Sequence, residues 1–221
     1  MKNIFFDFDG TLTHKTKNIW RKIWSRLGYD LQEGSLYKKL YNDFVTNKIT
    51  HQQWCDLSLT EYVSKGMNLQ ILDELTLDIK LIDGAEETFK ALKEQGFSLH
   101  IVSGNITHVI KKVLGQNIKY FDSIVANEML FDKKGNLTYI QGTKYDCEGK
   151  AEYIKEVCNN TNTKPQDAYF IGNGFNDEWV YLTGCNTICI NSDDADQSNT
   201  TKWHKSLNIS NLTEILQLLQ K

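Results

Sequence analysis

Two aspartates, Asp7 and Asp9, sit two residues apart at the end of the nearly unbroken apolar run Ile4–Phe8, directly before Gly10-Thr11. An ionised carboxylate is costly to bury, and a second one close by adds like-charge repulsion. A chain that places both there has a cation or a proton-transfer task for them. Two other apolar runs end in polar, glycine-containing turns, Ser103-Gly104-Asn105 and Gly172-Asn173-Gly174-Phe175-Asn176-Asp177. Together these turns carry the parts of phosphoryl transfer. Asp7 can attack phosphorus and hold the phosphoryl group as a mixed anhydride, and Asp9 can protonate the leaving oxygen and later activate water. Ser103, Gly104 and Asn105 are expected to open a helix, turning a hydroxyl and backbone N–H groups toward an anion. Asn176 and Asp177 offer oxygen ligands of the kind Mg²⁺ prefers. The chemistry is mostly electrostatic, so it needs a lysine near the nucleophile. Lys144 and Lys150 both qualify by position.

These turns converge only if the strands before them are parallel. From Leu81 onward the pattern alternates helix and strand: a helix from 83 to Gly96, a strand Phe97–Val102, a helix from Ile106 to Gly115 and a short strand Ser123–Ala126. A β-hairpin over Met129–Ile140 turns at Lys133-Lys134-Gly135-Asn136. A helix Glu148–Cys158 and strands Ala168–Ile171 and Thr187–Ile190 follow, then a polar loop over 192–201 and a last helix capped by Ser210. This alternation predicts an α/β fold, a parallel sheet with helices on both faces. Binding sites in such sheets lie beyond the carboxyl ends of the strands. Between residues 15 and 80 the period is helical instead. Ile19, Trp20, Ile23, Trp24 and Leu27 share one face, Leu36–Phe44 reads as a second helix, Thr50 caps a third, and a fourth lies within Leu69–Lys80. The expected organisation is a core of residues 1–15 and 81–221 with a small helical insertion over 16–80.

The 221 residues are 40% hydrophobic and 24% charged, ample for one core with an insertion. A net charge of −3 gives no reason to invoke nucleic acid or an anionic membrane. No apolar run approaches a membrane span. Five cysteines, with no Cys-x-x-Cys pair, read as free thiols in a reducing compartment, so the expected location is cytoplasmic.

The string Asp7-Phe8-Asp9-Gly10-Thr11 resembles the first signature of the haloacid dehalogenase superfamily. Asp83-Gly84-Ala85-Glu86-Glu87, Val102-Ser103-Gly104, Gly149-Lys150 and the Gly172–Asp177 turn extend the resemblance to its phosphoserine phosphatase-like branch. That resemblance implies a Rossmann-like core under a helical cap and a Mg²⁺-dependent phosphomonoester hydrolase. It chooses Lys150 over Lys144. It implies Asp7 as nucleophile, Asp9 as acid and base, and Lys150 beside them. Thr11, Ser103, Gly104, Asn105, Lys150 and Asn176 become the expected substrate-binding residues. Asp7, the Asp9 carbonyl, Asn173 and Asp177 become the expected metal ligands. The partner is a small phosphorylated metabolite.

Two departures qualify that picture. The last signature usually begins Gly-Asp, and here it begins Gly172-Asn173. An amide can still ligate Mg²⁺ but brings no charge, which keeps open a phosphate-binding regulator of little turnover. A phosphomutase is the rival among enzymes. The cap also lacks an acid soon after the first signature and any arginine after Arg26, so phosphoserine itself is not the expected substrate. Lys15, Lys17, Trp20, Arg21 and Trp54 are the cap-side residues expected to choose the substrate.

Overall fold

A computed structural model describes residues 2–15, 18–192 and 202–219. Lys17, and the expected loop from residue 193 to 201, lie outside the described residues. Seven strands form one sheet in the order β4-β3-β2-β1-β5-β6-β7. These are β1 Lys2–Phe6, β2 Phe97–Ile106, β3 Phe121–Phe131, β4 Leu137–Gln141, β5 Tyr169–Gly172, β6 Asn186–Ile190 and β7 Lys205–Leu207. Every neighbouring pair is parallel except β3 with β4.

β1 is central because its side chains suit burial on both faces. Successive side chains of a strand point to opposite sides. Ile4 and Phe6 enter one apolar cluster, with Phe89 and Leu92 of α5 (Ala85–Glu94) and Ile110 and Leu114 of α6 (Thr107–Leu114). Phe5 faces the other way, into Tyr153, Ile154 and Cys158 of α7 (Glu148–Asn160). From β1 the chain lays β2 and β3 on one side and β5 and β6 on the other. The crevice at the carboxyl end of β1 is therefore a topological switch point.

Four helices separate β1 from the rest: α1 Ile19–Arg26, α2 Leu36–Val45, α3 His51–Ser64 and α4 Leu69–Thr76. Their starts follow ordinary capping chemistry. Asn18 accepts the Trp20 N–H at 2.8 Å. Thr50 and Gln53 form a reciprocal capping box, with bonds of 2.8 and 3.2 Å. The apolar faces meet in a second cluster that holds Trp20, Trp24, Trp54 and Tyr62. A fully buried Trp removes enough surface to contribute on the order of 5 kcal/mol before ordering costs. The same cluster takes in Val109 of α6 and Met129 and Ile140 of β3 and β4, so this layer rests on the sheet's far edge. Backbone bonds Leu69 N–H to Gly135 O (2.8 Å) and Leu137 N–H to Met67 O (3.2 Å) fix it there.

Several boundaries differ from the sequence reading. β2 runs on to Ile106, so Ser103–Asn105 end a strand and do not open a helix. Pairing of Ile106 with Asn127 across an irregular register holds them extended. Ser123–Ala126 and the first arm of the hairpin are one strand, β3. β7 escaped the reading because three residues, two of them exposed, carry no apolar period. The last helix is a 3-10 segment, Leu212–Leu218, capped by Asn211 through a capping box with Glu214, and Ser210 only donates its N–H to Glu214.

Candidate active site

Asp7 follows β1, and its N–H still pairs with Ile171 O of β5 at 2.9 Å. Gly10 then turns the chain back with φ +71°. A side chain at Gly10 would be strained and would bring its Cβ to 2.4 Å from the Asn173 amide nitrogen. At the end of β5, a Cβ on Gly172 would stand 2.4 Å from Asp177 Oδ2. Both glycines are thus required by the groups packed against them.

Beneath the strand ends lies a buried ion triad. Lys150 Nζ donates to Asp7 Oδ1 at 2.8 Å and to Asp177 Oδ1 at 2.5 Å. None of the three side chains is more than 4% exposed. The second oxygen of Asp177 accepts the N–H groups of Asn173 (3.0 Å) and Gly174 (3.3 Å). Burial alone would lower the Lys150 pKa, but Asp177 and Asp7 outweigh it and hold the ammonium charged. Burial pushes the Asp7 carboxyl well above its ordinary range, Lys150 opposes that, and Asp177 and Asp9 add to it. Lys144 lies elsewhere, exposed and paired with Glu156 at 3.3 Å.

Above the triad is a cavity of about 440 Å³. Asp7, Asp9, Ser103, Gly104, Asn105, Asn173 and Asn176 reach its wall from the sheet side. Lys15, Trp20, Arg21 and Trp54, all read as substrate-selecting, reach it from the other. Thr11, Lys150 and Asp177 do not line it. Thr11 is fully buried and donates to Asn173 Oδ1 at 3.3 Å, so Asn173 stands between it and the cavity. Asp177 is drawn back by Lys150 and two backbone N–H groups, which makes it the holder of the lysine.

Asn105, read as a substrate binder, is bonded to Asp9. Its amide donates to both carboxylate oxygens, at 2.8 and 3.0 Å. Ser103 Oγ accepts the Asn105 N–H at 3.2 Å. Two residues with no expected role also serve the site. Asn127, fully buried, donates to Gly104 O (2.7 Å) and Asn105 O (3.1 Å) and accepts Thr143 N–H (2.8 Å). Asp146 lines the cavity, and a Cβ on Gly104 would stand 2.6 Å from its carboxylate. The spacing of Asp146 four residues before Lys150 was the available signal for it. Nothing local marks Asn127.

The donors fit a hard cation. All are oxygens, and Asp7 and Asp177 share the Lys150 ammonium while Asp9 adds negative charge near Asp7. Among the described residues no group of three or more His, Cys, Asp or Glu is arranged to hold a metal. Mg²⁺ needs no such cage, since it commonly uses one or two carboxylates with waters and phosphate oxygens.

The family model of the haloacid dehalogenase-like hydrolases matches residues 1–179. The chain belongs to that family. Its relatives place it in the phosphoserine phosphatase-like branch. The phosphoserine phosphatase of Idiomarina loihiensis is 30% identical over 167 residues, 74% of this chain and 73% of that protein. That of Methanocaldococcus jannaschii is 28% identical over 182 residues, 80% and 79% of the two chains. That of Archaeoglobus fulgidus is 28% identical over 180 residues, 79% of this chain but 48% of that protein, so the chain spans about half of that relative's length. A solved phospho-aspartyl intermediate analogue of phosphoserine phosphatase superimposes with a TM-score of 0.71 at 25% identity, covering 99% of each chain. A substrate-bound phosphoserine phosphatase gives 0.74 at 23% identity, covering 99% and 98%, and carries the fold alone. Among the described residues no helix is long and apolar enough to cross a membrane.

Proposed function

We propose that this haloacid dehalogenase-like hydrolase is a Mg²⁺-dependent phosphomonoesterase. It works through an aspartyl-phosphate on a small phosphorylated metabolite other than phosphoserine, in a cytoplasmic setting. The observation that carries the reading is Asp7, buried beside the Lys150 ammonium at 2.8 Å, at the foot of a cavity that Asp9 also lines. In this reading an Asp7 carboxylate oxygen attacks phosphorus and the ester oxygen leaves with a proton from Asp9. Asp9 then takes a proton from the water that cleaves the Asp7–phosphoryl bond, and phosphate departs. Asn105, bonded to both Asp9 oxygens, aims that carboxylate. Lys150 offsets charge on Asp7, and Asp177 holds Lys150. Ser103, Gly104 and Asn176 stand along the cavity wall to receive phosphate oxygens.

Asp7, the Asp9 carbonyl and Asn173 would hold the divalent cation. The chemistry it supplies when bound is neutralisation of the phosphoryl oxygens and of the excess carboxylate charge. Residues 16–80 act as the cap and residues 1–15 and 81–221 as the core. Phosphoserine is set aside because the acids that line the cavity among the described residues, Asp7, Asp9 and Asp146, all come from the sheet side. Among the described residues no cap carboxylate lines the cavity to hold an ammonium.

Asp7→Asn tests the reading. Release of inorganic phosphate from a panel of esters, followed against Mg²⁺, should fall to background while the circular dichroism spectrum is kept. Wild-type turnover in that variant would remove the aspartyl-phosphate. One observation favours a second reading, a phosphate binder of little turnover: the amide at Asn173, which adds no charge for a cation.

A further inference from the structure

The cap side of the cavity is neither small nor neutral. α2 carries Tyr37, Tyr41 and Val45 at helical spacing along one face, and all three line the cavity. Their exposure rises outward, from 5% through 41% to 48%. They form a continuous apolar wall from the interior to the mouth. Tyr37 and Tyr41 are stacked, with ring centroids 6.1 Å apart and planes 17° apart. Phe44 stacks on His51 at 5.2 Å and 29°, which extends the flat wall. A serine-sized leaving group would leave most of this surface uncovered, whereas a planar group could lie along it.

Charge on the same side is of one sign. Arg21, Lys38 and Lys15 line the cavity, and no acid from α1–α4 does. Lys38 is paired with Glu33 at 3.0 Å, so its charge is partly offset. Arg21 is the stronger candidate. It sits close to Tyr37, where its charge opposes the rise that burial imposes on the phenol. A guanidinium beside aromatic rings suits a planar anion, which it can grip while the rings stack on the body that carries it.

Resting on the phosphatase reading above, we propose that the substrate's leaving group is planar or aromatic and bears a second anionic group, a carboxylate or another phosphate. The ring lies on the Tyr37–Tyr41–Phe44 wall and the anion meets Arg21. An aromatic wall can also hold a quaternary ammonium, but Arg21 and Lys38 line the cap side and no acid of α1–α4 does, which disfavours a positively charged ligand.

Four esters separate these outcomes: 4-carboxyphenyl phosphate, phenyl phosphate, glycerol 2-phosphate and phosphocholine. Measured as kcat/KM with Mg²⁺, the order should run from the first to the last. Arg21→Ala should lower the ratio of carboxyphenyl to phenyl ester about fivefold, the size expected of one partly solvated charge pair. Intrinsic leaving-group reactivity cancels in that comparison. Tyr41→Ala should lower the ratio of phenyl to glycerol ester. A preference for phosphocholine overturns the proposal. So does an equal loss on every ester in Arg21→Ala, which would put the guanidinium on the scissile phosphate itself. Release of no phosphate from any ester would refute the phosphatase reading instead. The proposal would then stand or fall on calorimetric titration of wild-type protein with the carboxyphenyl and phenyl esters, equal affinities overturning it.

Discussion

At the strand ends, Asp7, Lys150 and Asp177 are buried and each is bonded to another charge. In the helical layer, Trp54 Nε1 and Ser58 Oγ are equally buried and have no hydrogen-bond partner among the described residues. Thr107 Oγ1, at the start of α6 and outside that layer, is another such atom. The two regions are therefore specified by different forces. The sheet edge is fixed by directional bonds, in which each buried group needs its partner, and loss of one partner leaves a charge stranded. The layer is fixed by aromatic packing, which tolerates a lost polar atom but responds to changes of volume. This division lets side chains over the cavity change without disturbing the chemistry below. Four expected outcomes, from the largest effect to the smallest, would break or sharpen that comparison.

The largest belongs to the ion triad. Lys150→Met keeps volume and removes the ammonium, leaving Asp7 and Asp177 buried side by side. The expected loss of stability is about 3–5 kcal/mol, read as the midpoint of urea unfolding, and phosphate release should vanish with it. A loss under about 1 kcal/mol would mean that the carboxylates find another partner and that directional pairing does not hold this edge together.

Asn105 comes next. If its two bonds aim Asp9, then Asn105→Ala should lower kcat on an alkyl phosphate by about 10²-fold, the usual scale of a misplaced acid. KM should move little. p-Nitrophenyl phosphate, whose leaving group needs less protonation, should lose much less. Equal losses on both esters would make Asn105 a structural residue and leave Asp9 without a demonstrated part in proton transfer.

Asn173 is a smaller and reversed case, since a charge is to be added. Asn173→Asp should raise Mg²⁺ affinity by about one to two orders of magnitude, from a charge-assisted contact of roughly 1.5–3 kcal/mol. A phosphatase held back by its amide should gain turnover and need less metal. A phosphate binder should gain metal affinity alone. Calorimetric metal titration beside a phosphate-release assay distinguishes them, and no change in either would show that Asn173 faces no metal.

The legible parts of the sequence follow the same division. The three strand ends could be read because carboxylates, amides and glycines crowd into a few residues each, and a parallel sheet brings such ends to one edge. The four helices between β1 and β2 could be read from period and, for the third, from Thr50 at its start; Asn18 and Ser35, which accept a backbone N–H at the starts of α1 and α2, were not read as caps. Partnerships across the chain could not. Asn105 meets Asp9 across 96 positions and Lys150 meets Asp7 across 143, distances over which no local pattern carries information. Ser103–Asn105 were misread because a Ser-Gly-Asn turn before an apolar helix is what a capped start looks like. The pairing of Ile106 with Asn127, and the Asn127 bonds to the carbonyls of Gly104 and Asn105, keep that segment extended. Thr11 and Asp177 were placed on the cavity by the family resemblance. Their bonding partners draw both behind its wall.

The smallest effect tests the helical layer by removing one atom. Ser58 is fully buried within α3, and among the described residues its hydroxyl bonds neither to a side chain nor to a carbonyl of the preceding turn. An unmet hydroxyl is a desolvation cost without return, and alanine is also the better helix former, by several tenths of a kcal/mol. Against this stands a gap of one oxygen, too small to offset much where aromatic neighbours can shift. Ser58→Ala should therefore stabilise the protein by about 0.5–1.5 kcal/mol, or a few degrees in Tm for a chain of this size. Kinetic constants for every ester should be unchanged. Destabilisation of 1 kcal/mol or more would show that Ser58 has a polar partner in solution, such as a bound water. The layer would then be held by directional bonds as the sheet edge is, and the contrast between the two regions would fail.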